Sequence, residues 1–120
     1  MRIILADHHS QALWALKVLI DEELEMKLVG EALDSDGLLI LAENNTADLI
    51  LVDSELPGLY IEDLITTLHA FIPRPMVVVM GSDSENSRML LKAGADSFVS
   101  KTDQTSWLIQ HIHKYTNRAN

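Results

Sequence analysis

"LILVDSELPG" (residues 49–58) sets four long or branched apolar residues directly before a carboxylate and closes on a Pro-Gly pair. A short, unbroken apolar run bounded by turn residues reads as a strand buried on both faces, and such strands belong to parallel sheets covered by helices. The same signature recurs on either side. Upstream, "IILA" (3–6) runs into Asp7, His8 and His9; downstream, "MVVVM" (76–80) runs into Gly81 and Ser82. "MKLVGEA" (26–32) and "SFVS" (97–100) are weaker runs that complete a set of five.

Between these runs the apolar period lengthens. After Ser10, read as an N-cap, Ala12, Leu13, Leu16, Leu19 and Ile20 form a stripe at helical spacing. "DSDGLLILAENN" (34–45) and "IEDLITTLHAF" (61–71) predict two more helices. In "SDSENSRMLLKAG" (82–94), Ser82 and Glu85 have capping-box spacing and Gly94 is placed to end the helix. "DQTSWLIQHIHKY" (103–115) is the last helix, with Leu108, Ile112 and Tyr115 on one face. The alternation predicts an α/β domain with a parallel sheet and helices on both sides, whose ligands bind beyond the carboxyl ends of the strands.

Composition narrows the function. The 120 residues suit a single domain without linker or repeat. With no cysteine, neither a disulfide nor a thiolate metal site is available. Eighteen acidic against nine basic residues give a formal charge of −9, which repels phosphate backbones, and Lys17, Lys27, Lys92, Lys101 and Lys114 are scattered. Arg2 is followed by only four apolar residues before Asp7, so no signal peptide is expected. No apolar run reaches the ~20 residues that span a bilayer, and a cytoplasmic protein is expected. The polar tail "TNRAN" reads as a frayed end or the start of a linker.

The strand ends gather polar residues: Asp7 and His8, Asp53, Gly81 and Ser82, then Ser100 and Lys101. Two carboxylates and an ammonium in one cleft suit the handling of a phosphoryl group. One carboxylate attacks phosphorus, a cation neutralises the phosphoryl oxygens, and the lysine pairs with them. The plainer readings are that Asp53 starts a turn before Pro57-Gly58 and that Lys101 is a solvated loop residue. Trp107 and Tyr115 read as packing residues, and His69, His111 and His113 as surface residues on helices.

"IILADHH", "DSELPG" and "AGADSFVSK", in this order on a five-fold β/α alternation, resemble the receiver domain of two-component response regulators. "LADHH" and "LKAGADSFVSK" are most similar to the LuxR/NarL-type subgroup, whose receivers precede a helix-turn-helix DNA-binding domain. The resemblance covers essentially the whole chain. It implies a flavodoxin-like (CheY-like) doubly wound sheet of order 2-1-3-4-5. It implies that Asp53 accepts a phosphoryl group from a histidine kinase or other phosphodonor and that Lys101 pairs with it. Gly81 and Ser82 would flank the phosphoryl group. Asp7, Asp53 and the backbone carbonyl of Glu55 would hold Mg2+, and Phe98 would be the aromatic residue that changes rotamer. The chain is then one receiver domain, residues 1–120, forming the N-terminal part of a longer regulator. It would reach DNA only through an output domain, and the last helix and its neighbours, the family's usual pairing surface, would be the place for a homodimer if one forms.

Two positions depart from the family pattern. His8 stands where the second acidic metal ligand belongs, and Mg2+ prefers oxygen to imidazole nitrogen. Weak Mg2+ binding is therefore expected. Gly81 stands where a Ser or Thr hydroxyl normally contacts the phosphoryl group; Ser82 either replaces it or caps the helix, and the capping box favours the cap. His8 is either a hydrogen-bonded filler or part of a softer metal site with Asp7 and Asp53. The filler reading is preferred, because His9 is expected to turn away at the helix start. Two functions remain: a phosphorylated receiver, or a phosphorylation-independent module for protein interaction or dimerisation. An enzyme on this fold lacks support, since there is no glycine-rich phosphate loop, triad or paired acid and base.

Overall fold

A computed structural model describes residues 1–82 and 86–101 of the chain. The expected helix 103–115, with Trp107, Leu108, His111, Ile112, His113 and Tyr115, lies outside the described residues, as does Glu85 of the expected capping box.

The described elements are β1 (Arg2–Ala6), α1 (Ser10–Asp21), β2 (Lys27–Ala32), α2 (Ser35–Asn44), β3 (Leu49–Asp53), α3 (Ile61–His69), β4 (Met76–Gly81), α4 (Ser87–Lys92) and β5 (Ser97–Ser100). The five strands form one parallel sheet of order β2-β1-β3-β4-β5, as the apolar runs and the resemblance predict. β3 is buried along its whole length, which is why its sequence is continuously apolar up to Asp53.

Side chains alternate across the sheet, so each strand feeds two cores. Ile3, Leu5, Leu49, Leu51, Val78, Met80 and Val99 pack on one face with Leu13, Leu16 and Ile20 of α1. Ile4, Ala6, Ile50, Val52, Val77 and Val79 pack on the other with Leu38 of α2, Leu64, Ile65 and Leu68 of α3, and Leu90 of α4. Asp7, Asp53 and Lys101 share the parity of the first face. The register that stacks Leu5, Leu51 and Val99 thus carries the two carboxylates and the lysine to a common edge.

The helix starts differ from expectation in instructive ways. Ser10 is the first helical residue of α1 and His9 is its N-cap, without a side-chain cap. His9 stays extended because its N–H is committed to the Asp7 carboxylate, 2.9 Å away. α2 does carry a cap: Asp34 accepts from the Gly37 N–H at 2.7 Å, so the glycine sits in the first turn instead of breaking the helix. α4 begins at Ser87 with Asn86 at its N-cap, well past Ser82, which is an exposed bend. Gly94 ends it as expected. With φ +113° it lets the Ala95 N–H reach Leu90 O and its own N–H reach Leu91 O, both at 3.1 Å, a Schellman ending.

His69 is not a surface residue. Its Nε2 donates to Asp96 Oδ2 at 2.9 Å, and the same carboxylate accepts the Val77 N–H at 2.7 Å and faces Arg74 at 3.3 Å. This cluster ties the end of α3 to the starts of β4 and β5, far from the strand ends that gather the acids.

Candidate functional site

Asp7 and Asp53 are both buried, at 0% and 2% exposure, and among the described residues Ser35 is the one other buried polar side chain. Burying two carboxylates together is costly unless each is hydrogen-bonded and their charge is offset. Both fold back on their own loops in the same way: Asp7 Oδ1 accepts the His9 N–H at 2.9 Å, and Asp53 Oδ1 accepts the Glu55 N–H at 3.2 Å. Lys101 supplies the charge. Its Nζ donates to Asp7 Oδ2 at 2.6 Å and lies 3.3 Å from Asp53 Oδ2. Lys101 thus pairs with both carboxylates, and the shorter bond goes to Asp7.

These contacts set the protonation of the pair. Burial by itself pushes the Asp7 carboxyl up; the Lys101 hydrogen bond, the His9 N–H and the Lys101 charge overcome it and hold the group below its ordinary value. Burial likewise opposes the Lys101 ammonium, and the bond to Asp7 with the charges of both carboxylates raises it above its ordinary value. Asp7 is therefore a carboxylate and Lys101 an ammonium at neutral pH.

The two histidines complete the cleft. His8 Nδ1 lies 2.9 Å from Asp53 Oδ2 and 4.0 Å from Asp7 Oδ1. Since a carboxylate only accepts, that nitrogen carries the proton and donates it. His9 does not turn away: its Nδ1 lies 3.2 Å from Asp7 Oδ1, and the two imidazole centroids are 3.8 Å apart. The signal for it was Asp7 itself, because an aspartate that closes a turn on the residue two further on also fixes where that side chain starts.

The remaining expected residues are placed as follows. Gly81 is buried at the end of β4, and its carbonyl accepts the Lys101 N–H at 2.8 Å, which anchors the lysine's backbone. Phe98 lies against Gly81: a Cβ built there would come within 2.9 Å of Phe98 Cε2 and 3.2 Å of Ser54 Oγ. The ring thus fills the space a threonine would take. Ser82 is exposed and borders a shallow depression with Ser54, Glu55, Ile61, Asn86 and Met89. Glu55 enters the site through its N–H on Asp53. Below it Gly58, at φ +115°, lets the loop run so close to α2 that a Cβ would overlap Ser35 Oγ; that hydroxyl accepts the Leu59 N–H at 2.9 Å.

The donor set fits Mg2+ poorly. Mg2+ takes near-octahedral oxygen ligands. Here an imidazole nitrogen sits hydrogen-bonded to Asp53 where a third oxygen would be needed, and Lys101 holds Oδ2 of Asp7.

Comparison with known proteins agrees with this geometry. The profile of the response regulator receiver domain matches residues 3–113. The nitrate/nitrite response regulator protein NarL of Escherichia coli K12 is 29% identical over 114 residues, covering 93% of this chain and 53% of NarL. The sensory transduction protein RegX3 of Mycolicibacterium smegmatis is 32% identical over 117 residues, covering 97% of this chain and 50% of RegX3. The chain therefore spans about half the length of these relatives. Among solved structures, the response regulatory domain of mrkE from Klebsiella pneumoniae superposes with a TM-score of 0.87 at 24% identity, covering 98% of this chain and 97% of that one, which speaks for the fold.

Proposed function

The chain belongs to the response regulator receiver family, and from that premise we propose that it is the input domain of a LuxR/NarL-type regulator in which Asp53 takes the phosphoryl group. The observation behind this reading is the convergence of Asp7, Asp53 and Lys101, with Lys101 Nζ 2.6 Å from one carboxylate and 3.3 Å from the other. In the step itself an Asp53 oxygen forms a bond to phosphorus. The bond from phosphorus to the donor's nitrogen or oxygen breaks, and the leaving group takes its electron pair. Lys101, already charged and placed between the acids, pairs with the incoming phosphoryl oxygens. The donor would be a histidine kinase or a small acyl phosphate. The output, a helix-turn-helix domain acting on DNA, would follow in the longer protein, with a homodimer as its working form in the cytoplasm.

The His8–Asp53 hydrogen bond favours a second reading. An imidazole that caps the acceptor oxygen and displaces an oxygen ligand slows phosphoryl transfer, and the fold then serves as a protein-interaction module independent of phosphate. Intact-mass spectrometry after incubation with a small acyl phosphate and Mg2+ separates the two. Under the first reading the chain gains one phosphoryl group, and Asp53→Asn abolishes the gain. If the chain stays unmodified while the His8→Asp variant is phosphorylated, the second reading holds.

A further inference from the structure

We propose that Asp7, His8, His9 and Asp53 form a binding site for a divalent transition-metal ion of the Zn2+ and Co2+ class. The proposal is independent of whether Asp53 accepts phosphate, and its test reads metal binding directly.

The donor chemistry comes first. Two imidazole nitrogens and two carboxylates suit borderline ions such as Zn2+, whereas Mg2+ and Ca2+ select all-oxygen sets. The geometry comes second. One ligand atom from each of the four residues lies within 4.8 Å of the other three. A tetrahedral ion with bonds of about 2.0–2.2 Å needs donors about 3.3–3.6 Å apart. His8 Nδ1 to Asp53 Oδ2, at 2.9 Å, and His9 Nδ1 to Asp7 Oδ1, at 3.2 Å, are already near that spacing. His8 Nδ1 to Asp7 Oδ1, at 4.0 Å, closes with a small ring movement.

Preorganisation is the third argument. Both carboxylates are buried and fixed by backbone N–H groups, so the acidic half of the site needs no ordering. Two adjacent rings that both turn Nδ1 towards the same cleft, 3.8 Å apart, also make a chelating pair. The rings are 31% and 58% exposed at the side chain, which gives an ion a route in past their edges. Each ring carries its proton on Nε2 once Nδ1 ligates. Lys101 keeps its bond to Asp7 Oδ2, which leaves Oδ1, the oxygen contacted by His9, to the ion, and releases Asp53.

Co2+ titration of the whole 120-residue chain, followed by visible absorption, tests the site. The expected result is one equivalent bound with the strong ligand-field bands of four-coordinate Co2+. Zn2+ removes these bands and a large excess of Mg2+ does not. His9→Ala and His8→Asp should each weaken Co2+ binding at least about tenfold; His8→Asp keeps an acidic cleft of the family's kind and so guards against loss of fold, checked by circular dichroism. Replacing His111 and His113 by Ala should leave the bands unchanged. Absence of the bands at millimolar Co2+ overturns the site. So does Co2+ binding in His8→Asp as tight as in the parent, or loss of the bands in the His111→Ala, His113→Ala variant.

Discussion

At the scale of single residues, Lys101 is the counterweight of the cleft. Without it Asp7 and Asp53 stand close together with no ammonium between them. Lys101→Ala should cost roughly 1–3 kcal/mol, less than for a fully buried pair because the lysine is partly exposed. Denaturant unfolding at neutral pH checks this. The pH dependence follows from the same bond. Asp7 is held below its ordinary 3.8, so its contribution is complete above that pH and is lost as pH falls through the folded value. Lys101 is raised above 10.5, so its contribution is complete below that pH and is lost as pH climbs through the folded value. Thermal melts should therefore hold level between these limits and fall on either side. In Lys101→Ala the acid limb should be shallower, since Asp7 has lost its main partner. Gly81 poses a different problem. Gly81→Thr brings back a hydroxyl but meets the Phe98 ring, so about 1–3 kcal/mol of stability should be lost unless the ring swings out. Changed ring resonances of Phe98 in NMR spectra would register that swing.

At the scale of elements, two glycines at positive φ separate two kinds of cost. At Gly94 a Cβ would meet only ordinary contacts, 3.5 Å from Ile65 and 3.8 Å from His69, so Gly94→Ala should cost about 1 kcal/mol for the backbone conformation alone. At Gly58 the added Cβ overlaps Ser35 as well, and Gly58→Ala should cost roughly 2–3 kcal/mol. Equilibrium unfolding of the two variants side by side tests the ranking. On α3, Leu64, Ile65 and Leu68 are fully buried, and truncating any one to Ala should cost about 2–5 kcal/mol. The strands were readable in the sequence because central parallel strands must be apolar on both sides. The carboxylates were readable because they interrupt that rule at the strand ends. The capping box of Ser82 and Glu85 lies partly outside the described residues, and the described part of α4 opens at Ser87.

At the scale of the whole molecule, what escaped the sequence depends on register. Phe98 covers Gly81 only because β4 and β5 pair Val79 with Phe98 and Gly81 with Ser100. His69 finds Asp96 across 27 positions of chain, in a cluster that only the folded order of α3, β4 and β5 creates. His9, though exposed, keeps its Nδ1 beside Asp7 because Asp7 captures its N–H, a local bond that competes with the helix start and wins. The convergence of Asp7, Asp53 and Lys101, by contrast, required only the strand order and the alternation of side chains.

The position of His8 carries one more consequence, in the currency of codons. Histidine and aspartate codons differ only in their first base, so a single-base change converts the imidazole on Asp53 into a third carboxylate. Nothing else in the cleft would need rebuilding, because Asp7, Asp53 and Lys101 already hold one another in place. Glycine to threonine at position 81 takes two base changes, and Phe98 stands in its way. A lineage carrying this domain thus sits one mutational step from an acidic pocket, with the hydroxyl at position 81 the more distant of the two repairs.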